Sequence, residues 1–272
     1  MDEQVIWSLV FTHYELCLLA GLLKIPNLIG LEDPFSGFLT DEVQDLLEQT
    51  IHILVEKGYL EIQPDDSLIM DAGITTLVEA LALAKCTLLA SCIDQYGKSR
   101  FRLIHLTVER PVEQEPVTNR EIVLTAVRDL ETLEQRLTDF LNLSAASAAP
   151  GPMLTLTEAD ITEARRLALE EGEETCRAFL DCAGVPAEAV EALAAALGEG
   201  SGPGSLTVLH REAREMHYGE SLAWLVGCHG AWRIQPLTQQ EPVTVRLIPA
   251  ATTEIQQRIT RLVETVYQEV RR

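Results

Sequence analysis

Positive charge is scarce in this chain. Its 272 residues hold 21 Lys and Arg against 42 Asp and Glu, a formal net charge of −21. A phosphate backbone is repelled by such a surface unless the cations cluster. They do not: the densest basic pairs are Arg165–Arg166 and Arg271–Arg272. An anionic membrane surface is disfavoured for the same reason. Long apolar runs are missing too. The longest, Leu16 to Leu23, is far below the roughly 20 residues of a membrane-spanning helix. The start, Met-Asp-Glu-Gln, lacks the basic opening of a signal peptide. The six cysteines are Cys17, Cys86, Cys92, Cys176, Cys182 and Cys228. They are scattered through apolar contexts, which predicts reduced, packed thiols in a cytosolic protein. What remains is a surface suited to a basic or neutral partner, or simply to solubility.

What is present is apolar content, 47% of the residues, enough for one large or two modest cores. It is organised as a repeat. Thr132 to Leu141 aligns without gaps on Glu254 to Val263. Leu133 meets Ile255, Leu137 meets Ile259, Phe140 meets Leu262 and Leu141 meets Val263. The spacing i, i+4, i+7, i+8 is one face of a helix. Before it, Ile122, Leu124 and Ala126 match Val243, Val245 and Leu247 with one insertion, a period of two that predicts a half-buried strand. The two copies run from about Thr87 to Leu141 and from Ser205 to Val263. Each reads as a meander of short strands closed by a helix. A spacing of about 120 residues is too long for a solenoid and predicts duplicated subdomains with pseudo-twofold symmetry. Two unrelated sheet–helix segments are the alternative.

The chain then reads in order. Val5 to Leu23 is helical in pattern, with Trp7, Val10, Phe11, Tyr14 and Leu18 near one face. Thr40 is read as the N-cap of a helix ending at Gly58, followed by a hairpin around Pro64 to Ser67 and a helix from Ile74 to Ala84. That order resembles a winged helix. Its would-be recognition helix carries Asp41, Glu42, Asp45, Glu48 and Glu56 against one Lys, which opposes DNA readout. Ser144 to Pro152 is read as a linker. It divides an N-terminal subdomain, residues 1–143, from a C-terminal one, residues 153–272. In the latter, Thr157 to Ala183 is helical with a break at Gly172, Thr157 and Asp160 form a capping-box pattern, and Pro186 opens a further helix to Leu197.

Motifs for chemistry fail on inspection. Gly198 to Ser205 is glycine-rich, but it has no Lys and its order is helix–loop–strand, the reverse of a phosphate loop. Gly219-Glu220-Ser221-Leu222-Ala223 has the look of a nucleophile elbow, yet Ser221 opens a strand. His210, His217, Cys228 and His229 lack the regular spacing of a zinc site. Glu170, Glu171, Glu173 and Glu174 read as a solvated helix face. No catalytic residue, cofactor or metal is predicted. Trp224 and Trp232 stand on adjacent predicted strands joined through Gly227 to Gly230. Either they fill a core, or one lies on an outer sheet face and anchors a protein partner, helped by Met216.

Several stretches carry a family resemblance. LLAGLLKIP and, later, LVEKGYLEIQPDDSLIMDAGITTLVEALALAKCTLL resemble the N-terminal region of the EspG family of type VII secretion chaperones. SLAWLVGCHGAWRI and VTVRLIPAATTEIQQRITRLV resemble that family's late strands and closing helix. The resemblance implies an α+β fold of duplicated quasi-twofold subdomains, each helices, then β-meander, then helix. Together they would form a central, mostly antiparallel sheet flanked by helical bundles. It implies a non-enzymatic cytosolic protein that keeps a helical client soluble, a PE–PPE-like pair or another secretion substrate, without nucleic acid, membrane or cofactor. A homodimer is left open. An acidic winged-helix-derived regulatory or homodimerisation module, and an enzyme whose site gathers distant residues such as His210, His217 and His229, are the alternatives.

Overall fold

Two runs of one plan build the expected sheet. The computed structural model describes residues 7–25, 28–31, 33–93, 98–141, 143, 145–198, 203–212, 215–237 and 242–272. The first run opens with strand β1 (Trp7–Thr12) and helices α1 (His13–Leu22) and α2 (Thr40–Glu56). A small hairpin of β2 (Leu60–Ile62) and β3 (Leu68–Met70) and helix α3 (Ala72–Leu83) follow. Its meander is β4 (Cys86–Ile93), β5 (Ser99–Leu106), β6 (Val112–Pro116) and β7 (Glu121–Ala126), closed by α4 (Leu130–Leu141). The second run opens with β8 (Leu154–Thr157), α5 (Glu158–Glu170), α6 (Glu173–Cys182) and α7 (Ala187–Gly198). Its meander is β9 (Pro203–Glu212), β10 (Glu215–Gly227), β11 (Gly230–Pro236) and β12 (Thr244–Pro249), closed by α8 (Thr252–Val270).

Ten strands form one antiparallel sheet in the order β1-β7-β6-β5-β4-β9-β10-β11-β12-β8. Read outward from the β4–β9 pair, both halves give the same sequence of elements. Cys86 pairs with His210 and Cys92 with Gly204. A twofold through that pair therefore lays Thr87 on Ser205, where the two copies of the sequence repeat begin. The matched helices pack on one face of the sheet. Leu133, Leu137, Phe140 and Leu141 of α4 share a core with Ile255, Ile259, Leu262 and Val263 of α8, above Leu88, Ala90, Leu206 and Val208. The opposite face carries α1–α3 toward the β1 edge and α5–α7 toward the β8 edge, each over a core of its own. Alternation sorts the residues: on β10, Trp224 and Val226 enter the first core while Leu225 enters the C-terminal one.

Several local expectations change. The helix expected over Val5 to Leu23 starts only at His13, because Trp7 to Thr12 pairs in register with β7. Trp7 and Phe11 are four apart, an even spacing that fits a strand as well as a helix. Thr12 and Glu15 form a reciprocal capping box that marks the true helix start. Thr40 is the first helical residue rather than the cap; Glu42 reaches back to the Leu39 N–H instead. The Thr157–Asp160 capping box is present, and Gly172 separates α5 from α6. The segment read as a linker is docked: Ala149 N–H donates to the Ala231 carbonyl, and Ala231 N–H to that of Ser147. A Cβ on Gly230, at a positive φ, would lie 2.4 Å from Ala149 Cα, so only glycine lets this segment close on the sheet.

Helix α7 seats against the sheet through small residues. Ala192, Leu193, Ala194, Ala195, Ala196 and Leu197 are all buried. At Gly227 a Cβ would stand 2.7 Å from Ala196 Cα. Replacing Gly227 by Val must push α7 off the sheet, and a loss of about 1–3 kcal/mol in urea unfolding is expected. Gly21→Ala, where an added Cβ meets nothing within 4 Å, is the control and should hold stability or raise it slightly.

Candidate partner-binding floor

Between the two helical groups a strip of sheet stays open. It can be read row by row from the pairing registers. Phe101, Ser91, Ser205, Ala223 and Ile234 lie side by side on β5, β4, β9, β10 and β11. The next row is Leu103, Leu89, Thr207 and Ser221. The third is His105, Thr87, Leu209 and Tyr218. All point away from the face that α4 and α8 cover. In the first row Phe101 is 42% exposed, with Ser91, Ser205 and Ala223 half-buried. In the second, Leu103 is buried at the β5 end, Leu89 and Thr207 are half-buried and Ser221 is exposed. These two rows contain no charged side chain.

The third row is closed at its β5 side. His105, Thr87 and Leu209 are buried. His105 Nε2 is 2.8 Å from Gln114 Oε1, and its Nδ1 is 3.2 Å from Thr87 Oγ1. Gln114 donates from its amide nitrogen to the Ile29 carbonyl, so its oxygen is the acceptor facing the ring. That assigns the imidazole proton to Nε2 and makes Thr87 the donor to Nδ1. Arg211, on the same sheet face, donates to the Ala82 carbonyl and, at 3.1 Å, to that of Leu81, holding the end of α3 down. The twofold places Ile93, half-buried and uncharged, where Arg211 stands in the other half. The floor is therefore open on one side of the axis and latched on the other.

The tryptophans occupy other ground. Trp224 is 2% exposed beneath α4 and α8, with its ring against Gly204; Trp232 is 0% exposed beneath α5–α7. They lie on opposite faces of the sheet. The reading in which one of them sits on an outer face gives way to core packing, because alternation delivers each ring to a helix-covered side. Met216 pairs with Arg211 and lies on the floor's face, half-buried, one row beyond Tyr218. Tyr218 is 82% exposed, and the sequence reading missed it. It missed the floor as well. The available signal was the polar half of the alternation in β9, where Ser205 and Thr207 interleave with buried Leu206 and Val208.

The sites considered for chemistry do not assemble. His210 and His217 face each other across β9–β10, with Cys86 Sγ 3.4 Å from His210 Nδ1, while His229 stands in the turn at the far end of β10. Among the described residues no three His, Cys, Asp or Glu are grouped to hold a metal. Ser221 is mid-strand, 2.9 Å from Thr207 Oγ1. Glu170 and Glu171 pair with Arg166 on an exposed helix surface. Residues 199–202 of the glycine-rich loop lie outside the described residues. Burial pushes the Cys17 and Cys176 thiols up to about 11, so neither is a ready nucleophile at neutral pH. Under α4, Glu113 is held by Arg136 at 2.6 Å and Arg102 at 3.3 Å, and Arg102 stacks on Phe140. Burial works against the neighbouring Glu115 carboxylate, but Arg100 and Arg102 outweigh it and hold that carboxyl below its usual range. This cluster fixes α4 to the sheet. Among the described residues no helix is long and apolar enough to cross a membrane.

With the fold in place, comparison with known proteins is decisive. The EspG family model matches residues 74–261, well over half the chain. The chain belongs to the EspG family. The search of curated proteins found no match. Among solved structures, it is similar to the Mycobacterium tuberculosis type VII secretion system chaperone EspG5, in the structure of that protein's complex with the PE25–PPE41 dimer. The TM-score is 0.61 at 15% identity, covering 92% of this chain and 94% of that one. At that identity the likeness speaks for the fold.

Burial lowers the His105 pKa to about 4, and the nearby Arg211 charge adds to the effect. The unfolded chain takes up this proton near pH 6.5, the folded one only near 4. The group's contribution is thus intact above pH 6.5 and is lost as pH falls toward 4, by about 2–3 kcal/mol at pH 4.5. His105→Gln should shrink the difference between urea unfolding at pH 7 and pH 4.5 by that amount. An unchanged difference would mean that His105 titrates normally.

Proposed function

We propose that this EspG-family chain is a non-enzymatic, cytosolic chaperone that keeps a helical PE–PPE-type secretion client soluble by capping it against the open floor. The observation that carries the reading is the floor itself. A strip of central sheet, uncharged and partly apolar, is left uncovered between two helical groups in a chain of net charge −21. Isolated exposed apolar side chains are ordinary, but a contiguous strip on a central sheet is where a partner docks. Phe101 and Leu89 supply apolar contact on one side, and Tyr218 and Met216 form the opposite rim. Trp224 packs in the core on the reverse face of the sheet and Trp232 in the flanking C-terminal core. Family membership and the structural likeness to EspG5 point the same way, and the partner in that structure, the PE25–PPE41 dimer, supplies the client class.

The test is co-expression of the chain with each PE–PPE heterodimer of its source genome, followed by size-exclusion chromatography with light scattering. A stable complex with at least one pair is expected. It should survive 1 M salt, because few charges are involved, and it should be lost with Ser205→Trp or Ser221→Trp, which fill the floor. Ser221 is exposed at the floor's rim, so its variant should fold normally. Absence of a complex with every pair, or complexes indifferent to both tryptophan variants, would overturn the reading.

A further inference from the structure

The sheet ends at β1 on one side and β8 on the other, and the two edges differ. An antiparallel ladder uses the backbone groups of alternate residues. The His13 N–H donates to the Arg120 carbonyl across the β1–β7 pair, so Trp7, Leu9 and Phe11 turn their N–H and C=O groups to β7. Ser8, Val10 and Thr12 turn theirs outward. On β8 the Glu158 N–H donates to the Val243 carbonyl in the same way, which leaves Thr155 and Thr157 outward. Each edge strand ends in the threonine that caps the next helix. There the outward N–H is already taken: Thr12 donates to Glu15 at 2.7 Å and Thr157 to Asp160 at 3.1 Å. An N-cap carbonyl, in turn, accepts the first helical bond. Thr125 and Arg246 are matched positions of the repeat, with Ser8 beside the first and Thr155 beside the second. The capping threonine lies four positions beyond Ser8 but only two beyond Thr155. The extra outward residue is Val10.

β1 therefore offers two residues, Ser8 and Val10, with two N–H donors and two C=O acceptors. Among the described residues none of these four groups has a partner. Both residues are exposed, Val10 by 49%. Proteins blunt such an edge with a charge, a proline, a bulge or brevity. β8 is short and runs straight into Glu158, whereas Trp7–Thr12 has no charge, no proline and an unbroken register. The strand that fits this edge is one with the same pattern. Laid antiparallel on a second β1, Ser8 of each copy meets Val10 of the other, and four bonds use every free group. Leu9 meets Leu9 on the face of α1–α3, where it is half-buried, and the exposed Val10 side chain falls beside Ser8 on the other face. We infer that β1 is a self-pairing edge, through which two copies join their sheets about a twofold at Leu9. The contact is short and each copy carries a net charge of −21, so the dimer is weak at low salt and tightens as salt screens the repulsion. The floor begins at β5, beyond β7 and β6, and stays free.

The test is sedimentation velocity of the full chain over a range of concentrations at low and high salt. A monomer–dimer equilibrium that tightens at high salt is expected. Val10→Pro removes an outward N–H and no bond to β7, a change that an edge strand tolerates. It deletes two bonds per dimer and should weaken association about tenfold or more, with the thermal midpoint of the monomer close to wild type. Thr155→Pro makes the same change on β8 and should leave dimerisation alone. Register is read separately, with the exposed Cys182 and Cys228 replaced by serine. Leu9→Cys should then give an oxidised dimer, because a non-hydrogen-bonded antiparallel pair sets its Cα atoms about 4.5 Å apart, within disulfide reach. Val10→Cys, whose opposite residue is Ser8, should not. If Val10→Pro lowers the midpoint, the two cysteine variants decide alone. A chain monomeric at every concentration in high salt would overturn the inference and leave the edge to an extended segment of another protein. A dimer indifferent to Val10→Pro, an equal loss in Thr155→Pro, or Val10→Cys cross-linking as readily as Leu9→Cys would also overturn it.

Discussion

The antiparallel pairing of β4 with β9 is the constraint on which the rest depends. It joins two meanders that lie far apart in sequence into a single ten-stranded sheet, and it puts the pseudo-twofold axis between them. A sheet of that width must bury both faces over much of its area, and each half brings its own means. The closing helices α4 and α8 cover the centre of one face together, since neither alone spans it. The opening helices cover the other face separately, one group toward each edge. The geometry that closes one side therefore leaves a gap on the other, over the strands nearest the axis. The floor follows from the symmetry rather than from any local motif.

Symmetry alone would give two equivalent seats, one on each side of the axis. Arg211 breaks the equivalence. Its guanidinium caps the last carbonyls of α3 and closes the row of His105, Thr87 and Leu209. Ile93, its counterpart, has no comparable donor and leaves its side open. Burial lowers the Arg211 pKa from its ordinary value, yet the group stays charged at any physiological pH. Beside it, His105 is kept neutral by burial and by the Arg211 charge, against the Gln114 hydrogen bond, which favours the charged ring. A protonated ring there would meet a cation across a buried row. The neutral tautomer is thus a condition of the latch, which ties the shape of the floor to a hydrogen-bond network beneath α3.

Much of this was legible in the sequence, and the limits have physical reasons. The repeat was clearest in its helices because a helix face repeats at i, i+4, i+7, i+8, and all eight matched residues are buried in one core. The register of β4 on β9 reproduces the start of the repeat at Thr87 and Ser205. The first strand was hidden because Trp7 and Phe11 satisfy both periods, though Thr12 and Glu15 carried the capping signal. The docking of Ala145 to Gly151 was hidden because small residues read equally as a flexible linker and as close packing, as Ala149 does against Gly230. The tryptophans stayed ambiguous because residue type cannot say which face of a strand is covered; that depends on where helices from elsewhere in the chain lie.

The same dependence explains why the floor could not be found by looking for conspicuous residues. Large aromatic side chains on a central sheet are taken up by whichever core lies nearest, as Trp224 and Trp232 are. A strip of sheet left exposed to water works against large apolar groups. Small hydroxyl side chains carry no such penalty. They are tolerated in water, suit a pleated strand, and keep hydrogen-bonding capacity for a partner. Ser91, Ser205, Thr207 and Ser221 pair with one another across three strands, so the free floor is not left with unsatisfied polar groups. Phe101 and Tyr218 place exposed aromatic surface at its two sides. The strip is then marked by the plainness of its centre and by the absence of charged side chains from its first two rows.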